Sequence, residues 1–388
     1  MSNLVIRPAL LEDWATICVL VAHGLAQGDV RRYEQILHEY QVALPQKPGF
    51  TLETVRVGLV QGRIVAVGRV EDCTLYYGHT SLQAARILDV VTHPDVRQRG
   101  YASAIMRDLL TILAEQRRHV ALLRDQQTFY ARYGFNPVWP TYLFQFDGRG
   151  LRGPQPRTLR PASLKDLPAL ADLYHHYWQR RIAIQRSPAW WLWRWQNRVR
   201  PSVITNAHDA IEGYVWPSES DHGTPEVVVD TYEAAWTLLQ FSAQAQPQGL
   251  ITWSLPPDDA LIAYAELIVP VTVSASYAPH SGWMARLVNA AALIQTALPE
   301  MGRMAQLANA SFDVSDLMID VGSDMVQVGL RSRPQLHMAI AHQDFLRVMF
   351  GSLRPTMLAV RLALTPEQVH LLEMLFPQRM GAFAPGDW

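Results

Sequence analysis

The stretch THPDVRQRGYASAIMRDLL, Thr92–Leu110, decides how the first part of the chain is read. Ahead of it lies ILDVV, Ile87–Val91, a short β-branched apolar run of the kind that forms a buried strand. Behind Gly100 the apolar residues fall at Ile105, Met106, Leu109, Leu110 and Leu113, the spacing of one helical face. Between strand and helix stand Arg97, Gln98, Arg99, Gly100 and Tyr101, then the small residues Ala102 and Ser103. A helix start leaves its first N–H groups unpaired and carries partial positive charge, so it attracts anions. Gly100 removes a Cβ, Ala102 and Ser103 keep the turn thin, and Arg97 and Arg99 add charge at the rim. The arrangement suits a pyrophosphate laid across the amides of Gln98 to Ser103. It is no NTPase phosphate loop, because GK[ST] is missing, and no GxGxxG follows any strand. A solvated basic turn capping an ordinary helix is the alternative.

Outward from this loop, Leu4–Arg7 reads as a short strand, and Asp13 precedes an amphipathic helix carrying Trp14, Ile17, Val21 and Leu25. Alternation at Val55, Val57 and Leu59, a turn at Gln61-Gly62-Arg63 and a run from Ile64 to Val70 predict a meander. Downstream, HVALLR (His119–Arg124) predicts a strand leading to a short helix in QQTFYARYGF. The fold class is α/β, in its mixed α+β form. The glycine- and arginine-rich DGRGLRGPQPR, Asp147–Arg157, marks a boundary. Beyond it the chain starts again: IRPALLEDW (Ile6–Trp14) is echoed by LRPASLKDL (Leu159–Leu167). A helix at Leu167–Trp178 and strands at Ala210–Trp216 and Glu226–Asp230 then follow the first unit's order. Here VVVD runs into TYEAAWTLLQFSAQ without a glycine or basic loop, so the second copy has lost the first loop's role. From about Gly282, GWMARLVNAAALIQTALPEM predicts a helix with Met284, Leu287, Val288 and Ala291 on one face. Strand-like SDLMIDVG and DMVQVGLR follow, then a helix in HQDFLRVMFGSL. The expected domains are 1–150, 151–281 and 282–388, the last a small α+β domain with an apolar tail docked rather than free.

Composition narrows the partners. Apolar residues make up 49 % and charged residues 18 %, enough for sizeable cores. A net charge of −1 gives no electrostatic case for nucleic acid or an anionic membrane. Cys18 and Cys73 lack metal-ligand spacing and read as buried free thiols of a reducing compartment. No basic, apolar leader opens the chain and no run of 18 apolar residues is present, so a cytoplasmic protein is expected. The tryptophan-rich WWLWRWQNR, Trp190–Arg198, reads as packing, and Tyr174-His175-His176 as a structural or surface pair. No metal is expected.

THP (Thr92–Pro94), RQRGYA (Arg97–Ala102) and FYARYGF (Phe129–Phe135), in this order, resemble the GNAT superfamily of acyl-CoA-dependent N-acyltransferases. The resemblance covers residues 4 to about 146. It implies acetyl-CoA as co-substrate, with its pyrophosphate on the Gln98–Ser103 amides, its pantetheine arm along Val90, Val91 and Thr92, and Tyr130 near the thioester sulfur. An active first unit, a degenerate second and a terminal domain similar to sterol carrier proteins resemble the Eis (enhanced intracellular survival) type. In that type the terminal carboxylate reaches the active site, a part Trp388 would supply. Ala22–Thr51, the substrate-lining segment, matches nothing, so aminoglycoside specificity does not carry over. The expected reaction is direct transfer to a primary amine of a small molecule or peptide. Tyr130 is the candidate acid and the Trp388 carboxylate the first candidate base. Asp89 comes second, and equally suits a structural role on its strand. The amide of Val91 or Thr92 would polarise the thioester carbonyl, aided by a bulge. Homo-oligomerisation is compatible with the family. A non-catalytic acyl-CoA- or lipid-binding protein is the rival reading.

Overall fold

The structure, a computed structural model, describes residues 4–124, 127–151, 153–218, 224–245, 249–276, 283–307, 317–322, 324–327 and 336–377. They divide into two compact units. The first takes the described residues of Met1–Thr74, Gln83–Leu123 and Arg286–Leu293. The second takes those of Leu75–Leu82, Arg124–Ala285 and Ile294–Trp388.

The first unit is a mixed sheet with helices. Its strands β1 (Leu4–Pro8), β2 (Val55–Val60), β3 (Arg63–Tyr77), β4 (Thr80–Thr92) and β5 (Val120–Arg124) lie side by side in that order. β1–β2 and β2–β3 are antiparallel, and β4–β5 is parallel. The β2–β3 turn is the one read from Gln61-Gly62: both residues are left-handed, at φ 52° and 75°, as a tight hairpin requires. Its helices are α1 (Trp14–Ala26), α2 (Val30–His38) and α3 (Tyr101–Glu115). α1 buries Ile17, Cys18, Leu20 and Val21 in one core with Val55, Val57, Val67 and Val91. Side chains alternate along a strand, so the neighbouring positions Gly68 and Val90 lie on the other face. There a Cβ on Gly68 would stand 2.7 Å from Ile105 of α3.

Gly24 sets how closely α1 lies on β4, since a Cβ there would come within 2.3 Å of the Val91 side chain. Gly24→Val should therefore lower unfolding free energy by about 1–3 kcal/mol, the usual range for an overpacked core. Denaturant titration reads the change, and a variant as stable as the parent would show that α1 has room to move.

The second unit continues with α4 (Gln127–Tyr130), β6 (Asn136–Pro137), β7 (Thr141–Asp147), β8 (Thr158–Pro161), α5 (Leu167–Trp178) and α6 (Pro188–Asn197). After these come β9 (Ser202–Thr205), β10 (Ile211–Trp216), β11 (Glu226–Val229), α7 (Tyr232–Ala245) and β12 (Leu250–Ser254). One sheet has the order β11-β10-β9-β8. α8 (Ala260–Glu266), β13 (Val271–Ser276), β14 (Trp283–Leu287) and α9 (Ala290–Leu307) follow, and β7 lies between β12 and β13. The last described elements are β15 (Leu317–Val321), β16 (Asp324–Gln327), β17 (Leu336–Ile340), α10 (His342–Met349) and α11 (Pro366–Leu375).

The echoed nonapeptides fold alike. Arg7 pairs with Asp13 at 2.6 Å and Arg160 with Asp166 at 2.8 Å. Each carboxylate also caps the following turn, accepting from Leu10 N–H at 2.8 Å and from Ser163 N–H at 2.7 Å. The hydrogen-bonded guanidinium holds each carboxyl below the ordinary aspartate range. A depressed folded pKa means stability that is present above the unfolded value of about 3.9 and lost as pH falls through the lower folded value. Asp166→Asn should thus flatten the acid limb of the stability–pH curve below about pH 4, and an unchanged limb would remove the clamp from acid unfolding.

Two expectations need correction. Trp283–Leu287 is a strand, with Met284 and Ala285 opposite Pro137 and Asn136, and the helix starts only at Ala290. Asn289 makes that start, its Oδ1 accepting from Ala292 N–H at 3.0 Å. Cys18 is buried as expected, but Cys73 is only half-buried. The tryptophans of α6 do pack: Trp191 and Trp195 join Trp178, Tyr214 and Trp216 in one core. Inside it Glu226 binds Arg186 at 2.7 Å and Arg194 at 2.8 Å. No helix among the described residues is long and apolar enough to cross a membrane.

Candidate active site

β4 and β5 part company in mid-strand. Their parallel register covers Ala84–Arg86 against Val120–Leu122, yet β4 runs on to Thr92. Among the described residues no β4–β5 pair continues beyond Arg86. Three residues on, Asp89 has φ 58°, left-handed in the middle of a strand, which breaks the pleat. The stretch Val90–Thr92 therefore lies beyond the break and beyond the β4–β5 register. At its end the Thr92 hydroxyl is buried without a partner among the described residues.

The loop then turns at His93, whose N–H donates to Val65 O at 2.9 Å. Its ring meets Arg63 Nη2 through Nε2 at 3.0 Å. Gln98 and Gly100 are left-handed, at φ 62° and 83°. Such left-handed residues in a turn make successive N–H groups converge into an anion-binding concavity. α3 begins at Tyr101, and its first bond is Ala104 N–H to Gly100 O at 3.0 Å. The amides of Ala102 and Ser103 thus belong to the unpaired first turn. A Cβ on Gly100 would meet nothing within 4 Å. Its glycine is needed for the backbone angle, and the space in front of it is open. In the second unit the helix after β11 is instead capped by its own chain, with Ala234 N–H on Thr231 Oγ1 at 3.2 Å.

Asp89 does not stand free. Arg69 Nε donates to its Oδ2, and the buried Tyr40 phenol lies beside the same carboxylate. Arg69 also binds Glu71 at 2.8 Å, and Glu71 takes Lys47 Nζ at 2.8 Å and the Arg86 guanidinium. Burial works to raise the Glu71 carboxyl, but Arg86, Lys47 and Arg69 outweigh it and hold it well below the ordinary range. Burial brings the Lys47 ammonium down to about 8, against the pull of Glu71. Burial, with the Asp89 charge behind it, raises the Tyr40 phenol. Beside this network Trp14 stacks with Tyr40 at 6.3 Å and tilts on Phe50 at 5.4 Å. A crevice there is walled by Trp14, Tyr40, Val67, Arg69 and Asp89.

The first unit thus brings Asp89, Val90, Val91 and Thr92 onto one strand end and Arg97 to Ser103 onto the loop that follows. Tyr130 belongs to the second unit, ending α4. It is 6 % exposed and edge-on to Phe129 at 4.8 Å and to Phe135 at 6.3 Å. Trp388 and the tail lie outside the described residues. Sequence reading missed the Arg69–Glu71 pair. Its signal is that Val65, Val67, Arg69 and Glu71 share one strand face, so charges continue an apolar row. Of the histidine pair, His175 Nδ1 meets the Tyr76 hydroxyl at 3.0 Å and His176 Nδ1 the Asp172 carbonyl at 2.8 Å.

Residues 6–138 match the family described as the acetyltransferase (GNAT) domain. No curated protein matches the chain. Among solved structures it is similar to a GCN5-related N-acetyltransferase from Anabaena variabilis, at 17 % identity and TM-score 0.70, covering 98 % of this chain and 99 % of that one. A probable N-acyltransferase from Enterococcus faecalis has 15 % identity and TM-score 0.72, with 99 % of each chain covered. Eis1 from Mycobacterium abscessus has 19 % identity and TM-score 0.64 over 100 % of both chains. Such identities establish a shared fold. The segment 6–138, which contains the broken strand and the glycine loop, thus matches the GNAT acetyltransferase domain, and the likeness in fold to these solved structures covers nearly all of the chain.

Proposed function

We propose that the protein transfers an acetyl group from acetyl-CoA directly to a primary amine of a small molecule or peptide. The observation that carries this reading is the pairing of a strand broken at Asp89 with an open, left-handed helix start at Gly100. Acyl transfer in general is supported by the GNAT match. In the proposal the pyrophosphate rests on the Gln98–Ser103 amides between Arg97 and Arg99. The pantetheine amides pair with the Val90–Thr92 edge as an added strand would. The amide of Val91 or Thr92 donates to the thioester carbonyl oxygen as it gains charge.

The amine nitrogen attacks the carbonyl carbon, the carbon–sulfur bond breaks, and CoA leaves as the thiol with a proton from Tyr130. A free alkylamine, with a pKa of about 10.4, is deprotonated in roughly one molecule per thousand at pH 7. Its proton must therefore pass to a base, which we assign first to the Trp388 carboxylate and second to Asp89. The domain division at 150 and 281 and a carrier-like third domain belong to the same proposal.

Calorimetric titration with acetyl-CoA, followed by thiol release with a panel of primary amines, tests it. One micromolar site per chain and amine-dependent thiol release support the reading. Absence of binding at millimolar acetyl-CoA overturns it.

A further inference from the structure

We infer that Arg69 is a positioning residue for acyl transfer: through Asp89 it holds open the break in β4 that presents the Val91 and Thr92 amides. The inference rests on the proposed acyl-CoA site.

Asp89 tolerates φ 58° better than most residues, yet a left-handed residue inside a strand is still strained and persists only where its surroundings over-determine it. Those surroundings are ionic and buried. Arg69 is 9 % exposed and binds the Asp89 carboxylate, and Tyr40, 6 % exposed, lies beside it. Glu71 ties the clamp to the last paired part of β4, because it holds Arg69 at one oxygen and Arg86 at the other. Arg86 is also the final residue in register with β5. The chain of contacts Arg86–Glu71–Arg69–Asp89 therefore spans the point where the strands separate. It fixes β4 on both sides of the break. Without it, residues 87–92 have a simple alternative in ordinary extended backbone. A one-residue change of phase there would exchange which of the Val91 and Thr92 amides faces the open edge, because successive N–H groups point to opposite edges of a strand.

Full-length protein carries the test, read by isotope-edited infrared spectroscopy of acetyl-CoA labelled with carbon-13 at the thioester carbonyl. A hydrogen bond lowers the carbonyl stretch, and this readout needs no amine acceptor. Wild type should show the lowered band. Arg69→Met should return it toward the free value, with CoA affinity changed by no more than about threefold, since the helix start is untouched. Arg69→Met also leaves Asp89 buried without its cation, so it carries a folding risk. Tyr40→Phe removes one hydroxyl only, and Asp89→Gly accepts the left-handed angle while removing the carboxylate. Both should shift the band in the same direction, Tyr40→Phe by less. A wild-type band in folded Asp89→Gly and Tyr40→Phe overturns the inference. Failure of wild type to bind acetyl-CoA would instead remove the site reading itself.

Discussion

Replacing Gly100 by tryptophan is expected to abolish acetyl-CoA binding while leaving the fold in place. The space in front of this residue is open, so an indole meets no protein atom at its root. It would occupy the approach to the Ala102 and Ser103 amides and keep a phosphate from them. The backbone at φ 83° also charges an L-residue about 1–2 kcal/mol. Gly100→Ala separates the two effects, because it carries the strain with little obstruction. Affinity should fall by at least roughly a hundredfold in the tryptophan variant, which corresponds to about 2.7 kcal/mol. The alanine variant should lie between. Calorimetry reads both, and unchanged affinity in Gly100→Trp would end the assignment of the pyrophosphate to this helix start.

Tyr130→Phe should leave acetyl-CoA affinity within about twofold and lower turnover by about 10²–10³, the scale of one general acid. Phenylalanine keeps the edge-on packing against Phe129 and Phe135, so loss of folding is not expected to obscure the result. The sign of the pH dependence follows from the role. A proton donor works while protonated, so wild-type turnover must fall on the alkaline side as the phenol ionises. That limb should vanish in Tyr130→Phe. Wild-type rates in the variant from about pH 6 to 9 would exclude the acid role.

What could be seen in advance depended on whether the deciding contact was local. α3 and its loop were legible because Gly100, the small residues after it and the spacing of Ile105, Met106 and Leu109 are all carried by neighbouring positions. The repeated Arg–Asp clamp was visible as a repeated nonapeptide. The break at Asp89 was not legible in ILDVV itself, which reads as an unbroken strand; a bulge near Val91 was expected only alongside the family resemblance. The conformation of Asp89 depends on Arg69 and Tyr40, from distant parts of the sequence. Trp283–Leu287 failed for a related reason: Met284, Leu287, Val288 and Ala291 satisfy a helical spacing, and pairing with neighbouring strands, Asn136–Pro137 among them, makes the segment extended. α2 was not read in advance although Tyr33, Ile36 and Leu37 stand at helical spacing, and Ile36 and Leu37 pack against the first unit's core.

The broken strand has an evolutionary corollary. The groups it offers to a ligand at Val90–Thr92, like those of the helix start, belong to the main chain, which every amino acid except proline supplies equally. Mutation can replace the side chains around such a site without erasing its pattern of donors, provided the backbone keeps its path. Under the proposed site, selection would bear on the few residues that set the path, Gly100 and the Arg69–Asp89 pair here. The solved structures similar to this chain share fewer than one residue in five with it, while the likeness in fold covers nearly all of each chain.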